Sequence, residues 1–166
     1  MIESTLPILT FVGRPLDPNK GLVTLFDALE LLLSLPFPPR FMVWIIGGDD
    51  DELPHLHSLI AARHRLMHEA TEGRFLIWGK VKHDALPEFY RRSHVVVMPS
   101  IREPFGLVAI EAMACGTPVI GTRQGGLDDT ILSGLTGAKV EVDQPDALYV
   151  KLVRLKGVAK NRRRRG

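Results

Sequence analysis

Five short apolar runs recur along the chain: PILTFVG, FMVWIIGG, RFLIWG, HVVVMPS and TPVIGT. They are rich in Val, Ile and Phe, and none alternates cleanly between apolar and polar positions. Continuous hydrophobicity of this kind predicts strands covered on both faces, as in a parallel sheet. The segments between them predict helices over about Gly21–Leu35, Glu52–His68, Asp84–Arg92, Phe105–Cys115 and Pro145–Lys156. The first of these, LVTLFDALELLLSL, is apolar almost all round and should press hard against the sheet. Repeated strand–helix alternation predicts an α/β domain built on one doubly wound parallel sheet. No repeat of fixed period and no long linker interrupts it.

Composition bounds the possibilities. The 166 residues are 45% hydrophobic and 24% charged, which suits one globular domain with a core of its own. A single cysteine, Cys115, excludes an internal disulfide, fits a reducing compartment and reads as a small buried hydrophobe. No apolar run reaches the length of a membrane span and the N-terminus lacks a signal-peptide pattern, so a soluble, cytoplasmic protein is expected. The net charge of +2 hides an asymmetry. Lys160, Arg162, Arg163, Arg164 and Arg165 supply five positive charges near the C-terminus, and without them the chain carries −3. With an acidic body and no aromatic residues among the arginines, no nucleic-acid partner is expected. Residues 157–166 read as a basic tail, disordered or a truncated helix, and residues 1–156 as the domain.

Charge and glycine concentrate after the predicted strands, in GRPLDPNKG, GGDDDE, GKVKHD, PSIREPFG and GTRQGG. In an open parallel sheet these loops share the carboxyl edge, where ligands bind. In the first loop, Gly13 permits a tight turn, and the Arg14 fork and Lys20 point charge together suit a diphosphate. Neither G-x-x-x-x-G-K-[ST] nor G-x-G-x-x-G occurs, which removes the main support for an ordinary nucleotide hydrolase or a dinucleotide-dependent dehydrogenase.

The stretch EPFGLVAIE holds a second constellation. Pro104 is tolerated at a helix start, Gly106 allows close backbone approach, and the amides of Phe105, Gly106 and Leu107 would form an anion site. Glu103 precedes this helix, and Glu111 lies inside a segment otherwise apolar enough to be buried. A carboxylate should not touch a phosphate, but its two oxygens can accept from both hydroxyls of a vicinal diol. One acid for a ribose, one for a second sugar and phosphates between them describe a nucleotide sugar. Two simpler readings stay open: Glu111 paired with an internal arginine or a backbone amide, and Glu103 as a helix N-cap. Of the six histidines, His64 and His68 are four apart, but a solvated helix face accounts for them and no metal site is expected.

FVGRPLDPNKGLVTLFDAL, GKVKHDALPEFYRRSHVVVMPS, EPFGLVAIEAMACGTPVIGT and GGLDDTILSGLTGAKV resemble, in that order, the C-terminal, donor-binding half of the family 4 retaining glycosyltransferases. The likeness runs from about Pro7 to Leu155, and the Glu-x7-Glu motif with its Phe-Gly core is its most specific part. It implies a Rossmann-like domain that is one half of a GT-B enzyme. That enzyme would transfer a hexose from a UDP-, GDP- or ADP-linked sugar, its substrate, without a cofactor.

By this resemblance Arg14 and Lys20 hold the diphosphate and, with Glu103, act in catalysis, while Glu103 contacts the donor sugar. Main chain at Phe105, Gly106 and Leu107 lies near the sugar and phosphates, and Glu111 binds the ribose. The loop around Gly79 and Val81 receives the base, and Gly125 and Gly126 match a glycine pair after the fifth strand. Asp129 stands where the family usually has a glutamate, and the family's closing helix is not evident after Leu155. The implied partners are the sugar donor and an N-terminal acceptor domain, with peripheral membrane association of the full-length enzyme. A nucleotide-sugar epimerase of the same architecture and a non-catalytic nucleotide-binding module are the alternatives.

Overall fold

The structure is a computed structural model that describes residues 6–162. Six strands form one parallel sheet: β1 (Ile8–Val12), β2 (Met42–Ile46), β3 (Phe75–Gly79), β4 (Val95–Met98), β5 (Val119–Thr122) and β6 (Gly137–Val140). Their spatial order is β3-β2-β1-β4-β5-β6. The chain winds outward from β1 to β3, then returns to lay β4 against the other side of β1. That reversal between β1 and β4 opens the crevice in which a doubly wound sheet binds ligands.

Seven helices cover the sheet: α1 (Leu22–Leu33), α2 (Leu53–Ala61), α3 (His64–Thr71), α4 (Leu86–Arg92), α5 (Leu107–Ala114), α6 (Gly125–Thr130) and α7 (Pro145–Arg162). Alternate strand residues feed two separate cores. Leu9, Phe11, Val43, Ile45 and Val97 pack beneath α1, α2, α3 and α7. Ile8, Met42, Trp44, Val96 and Met98 pack beneath α4, α5 and α6. Both sets being apolar is why the strands showed no alternation. Helix α1 buries Leu22, Leu25, Phe26, Ala28, Leu29 and Leu32, as its composition predicts.

Four local expectations are corrected. The helix predicted over Glu52–His68 is two helices, because Arg63 is extended between them at φ −120° and ψ 107°. Its guanidinium donates to Asp27 on α1 at 2.7 and 2.9 Å and to the Leu59 carbonyl at 2.9 Å, and it lies over the Phe26 ring. This tertiary clamp overrides a segment whose propensities favour continuity. Strand β6 and helix α6 were not foreseen. Helix α5 starts at Leu107, after a left-handed Gly106 cap at φ 66°, and it is not enveloped: Leu107 and Ile110 are exposed while Ala109 and Ala112 face the core. Cys115, at its end, is half-buried rather than enclosed.

Helix α7 extends to Arg162, so the first part of the predicted basic tail is helical; residues 163–166 lie outside the described residues. Among the described residues, no helix is long and apolar enough to cross a membrane.

Candidate functional site

The loops that follow β1 and β4 are joined across the reversal in strand order. The Ile101 amide donates to the Asn19 carbonyl at 2.8 Å. Gly21 lies so close to Pro99 that a Cβ there would sit 1.9 Å from the Pro99 carbonyl oxygen, so only glycine allows this approach. The loop after β1 is stiffened from within. Asp17 accepts from the Asn19 amide at 3.0 Å and from Arg14 at 2.7 Å. The Asn19 backbone bond, then the Arg14 charge, hold its carboxyl below the ordinary range despite some desolvation.

The connection between the loops ends on the two residues of greatest interest. Lys20 Nζ donates to Glu103 Oε2 at 2.6 Å, with side chains only 26% and 12% exposed. An acid and a base from sequence positions 83 apart therefore meet at the carboxyl edge. Glu103 is not a helix N-cap, since Gly106 caps α5. Its backbone is gripped on both sides: its amide donates to Gln124 Oε1 at 2.7 Å, and its carbonyl accepts from the Gly126 amide at 3.0 Å. A Cβ on Gly126 would fall 2.4 Å from the Phe105 carbonyl carbon. The Gly125–Gly126 pair thus sets the position of the loop carrying Glu103.

Glu111 sits farther along the same segment and is half-buried, its side chain 31% exposed. Among the described residues, its hydrogen-bond partners are a tyrosine and a histidine rather than an arginine or a backbone amide. The Tyr90 hydroxyl on α4 donates to Oε2 at 2.8 Å, and His83 Nε2 lies 2.9 Å from Oε1. Burial, reinforced by the bond to Glu111, pushes the Tyr90 phenol far above its ordinary value, so it remains a donor. His83 belongs to the 3-10 turn (His83–Ala85) that follows the loop containing Gly79 and Val81. Val81 packs against the core beneath α4 and α5, and the Gly79 carbonyl accepts from the Gly47 amide at 2.7 Å.

The predicted residues therefore fall into two linked groups. Gly13, Arg14, Lys20 and Glu103 occupy the reversal itself, with Arg14 75% exposed and paired to Asp17 nearby. Gly79, Val81 and Glu111 lie toward β3 and α4, with His83, two residues beyond Val81, within hydrogen-bond distance of Glu111. Gly106 and Leu107 lie at the start of α5, and Phe105 is exposed beside them in the chain. The α5 cap moves the helix start to Leu107, two residues later than expected.

Sequence reasoning missed Tyr90, His83, Gln124 and Asp17 as supports; a tyrosine beside Phe89 in a short amphipathic helix gives no hint that its hydroxyl meets an acid. Among the described residues, no group of three His, Cys, Asp or Glu side chains could hold a metal ion. A groove of about 360 Å³ lined by Ile60, Met67, Phe75 and Ile77 lies on the other face of the sheet from α5.

With this geometry in view, known proteins place the chain. The family model described as "Glycosyl transferases group 1" matches residues 6–156. D-inositol 3-phosphate glycosyltransferase of Mycolicibacterium gilvum is 36% identical over 153 residues, covering 88% of this chain and 31% of the relative. Sucrose-phosphate synthase from Thermosynechococcus elongatus superposes with a TM-score of 0.81 at 32% identity, covering 96% of this chain and 38% of the other. Anabaena HepE in complex with UDP superposes with a TM-score of 0.73 at 25% identity, covering 91% and 39%. The chain spans about a third of the length of the curated relatives it matches.

Proposed function

The chain belongs to the glycosyl transferases group 1 family, and on that premise we propose that it is the C-terminal, donor-binding domain of a retaining family 4 enzyme. The enzyme moves a hexose from a nucleoside diphosphate sugar to an acceptor held by a second, N-terminal domain. Residues 1–156 form the donor domain and 157–166 its basic tail. The observation that carries this reading is the meeting of Lys20 and Glu103 at the reversal in strand order, with Glu111 one helical segment away.

Charge develops on the leaving diphosphate as the glycosidic bond breaks. Lys20, Arg14 and the α5 start stabilise it, and fixed donors of this kind need little reorganisation during the reaction. Glu103 accepts from donor-sugar hydroxyls and holds the ring for attack. Glu111, steadied by Tyr90, accepts from the ribose diol, and main chain near Gly79 and Val81 receives the base. The acceptor hydroxyl attacks from the face that the diphosphate leaves and gives its proton to the departing phosphate oxygen, which retains the anomeric configuration without a protein nucleophile. The 166-residue chain alone binds donor but turns over little, because acceptor contacts come from the other domain. The full-length enzyme acts in the cytoplasm, with peripheral association at the membrane.

A thermal-shift panel of UDP, GDP and ADP, each with its glucose or mannose conjugate, tests the reading. A ligand at 100 times its Kd stabilises the fold by about 2.7 kcal/mol. One nucleotide series is expected to raise the melting temperature, and Lys20→Ala should weaken its binding by about 1.5–3 kcal/mol, as for a charged hydrogen bond. A chain that binds none of the three, or robust transfer by this chain alone, would refute the proposal.

A further inference from the structure

We propose that the Lys20–Glu103 ion pair makes the grip on the diphosphate conditional on the sugar, so that the site favours intact donor over the nucleoside diphosphate product. The inference rests on the assignment of Lys20 to the diphosphate and Glu103 to the sugar. In the structure these two groups are spent on each other, Nζ to Oε2 at 2.6 Å, with both side chains largely withdrawn from water. A lysine ammonium has three protons to give, and a carboxylate accepts but cannot donate. The strongest partner within reach therefore decides where Lys20 points.

With intact donor bound, sugar hydroxyls donate to Glu103. They take up the oxygen that Lys20 occupied, and Lys20 turns to the diphosphate while the Glu103 carboxylate keeps hydrogen-bond donors in its place. With the sugar gone, Lys20 is the one donor to the Glu103 carboxylate among the described residues. The carboxylate then draws the ammonium back, and the diphosphate loses one of its cationic contacts. The anchoring of Glu103 makes this competition sharp: Gln124 holds its amide and Gly126 its carbonyl, so the acid cannot drift away from Lys20. Glu103 is thus a specificity-determining residue for the state of the ligand as well as for the sugar.

The test is a double-mutant cycle read by calorimetry on the 166-residue chain, with UDP against UDP-glucose and the GDP and ADP pairs run alongside. Glu103→Gln keeps the shape and removes the charge. It is expected to raise affinity for the bare nucleoside diphosphate about five-fold, the worth of a partly shielded ion pair. The same change should lower affinity for the sugar conjugate, so that the preference for intact donor collapses. In a Lys20→Ala background the gain for the bare diphosphate should vanish.

A gain that persists without Lys20 would mean simple repulsion between carboxylate and phosphate and would overturn the inference, as would no gain at all. If Lys20→Ala leaves nucleotide affinity unchanged, the underlying assignment fails instead, and the inference falls with it. Glu103→Asp, which withdraws the carboxylate by one methylene, provides the same reading should the glutamine variant misfold; its expected gain for the bare diphosphate is smaller and in the same direction.

Discussion

Replacing Gly126 by alanine tests whether the glycine pair positions the site. The added Cβ would lie 2.4 Å from the Phe105 carbonyl carbon, 2.5 Å from its oxygen and 2.7 Å from its Cα. Non-bonded carbons prefer roughly 3.5–4.0 Å, so the two backbones must separate by about 1 Å. All three are backbone atoms, and no side chain can swing aside to absorb the clash. If the loop stays in place, overpacking costs about 1–3 kcal/mol. Should it move, the bond from the Gly126 amide to the Glu103 carbonyl stretches or breaks, at about 1 kcal/mol.

In the second case the fold survives while Glu103 and the start of α5 are displaced, and a shift near 1 Å can reduce catalysis by about 100-fold. Urea unfolding measures the first cost and donor calorimetry the second. At least one must register: a loss of about 1–3 kcal/mol in stability, or a marked loss of affinity for the sugar conjugate. A Gly126→Ala chain matching the wild type in both would refute the claim that these glycines set the loop.

Two further outcomes are expected. Tyr90→Phe removes the donor to Glu111 Oε2 and should reduce discrimination between UDP and 2′-deoxy-UDP in calorimetry, because a less constrained carboxylate grips the ribose diol less well; unchanged discrimination would detach Tyr90 from ribose binding. Glu69 is held below its ordinary value of 4.5 chiefly by the hydrogen bond from Arg74, so its contribution to stability is complete above that value and disappears as pH falls through the folded-state one. Urea melts from pH 7 to about pH 3 should therefore show Glu69→Gln destabilised at neutral pH, with the gap to wild type closing in acid.

Much of the fold was legible because burial on both faces writes itself directly into composition. Five of the six strands are unbroken apolar runs, and the layered alternation follows from them. Strand β6 escaped because GAKV has only two clearly apolar residues and a lysine, as befits an edge strand at partial exposure. The break between α2 and α3 escaped for a different reason: nothing local ends the helix, and the clamp from Arg63 to Asp27 exists only once α1 is in place. Lys20 and Glu103 could be singled out by residue type, yet their direct bond could not, since it depends on how two distant loops meet. Tyr90 and His83 were invisible for the same reason, each lying in a segment whose local pattern explains it completely.

The apparent paradox of an acid inside an apolar helix has a physical resolution. The composition of residues 105–115 suggested a segment enclosed by the fold, in which an ionised Glu111 would carry a cost of several kcal/mol. In the structure the segment is a rim. Small residues, Ala109 and Ala112, face the sheet, while Phe105, Leu107 and Ile110 are exposed and Glu111 is half-buried against a phenol and an imidazole. Its apolar residues are therefore distributed between a core on one side and open surface on the other. Exposed large apolar groups beside a set of charged loops make little sense for a rim that faces only water. They fit the proposed function, in which this rim would meet a ligand and a second domain; the curated relatives are about three times the length of this chain.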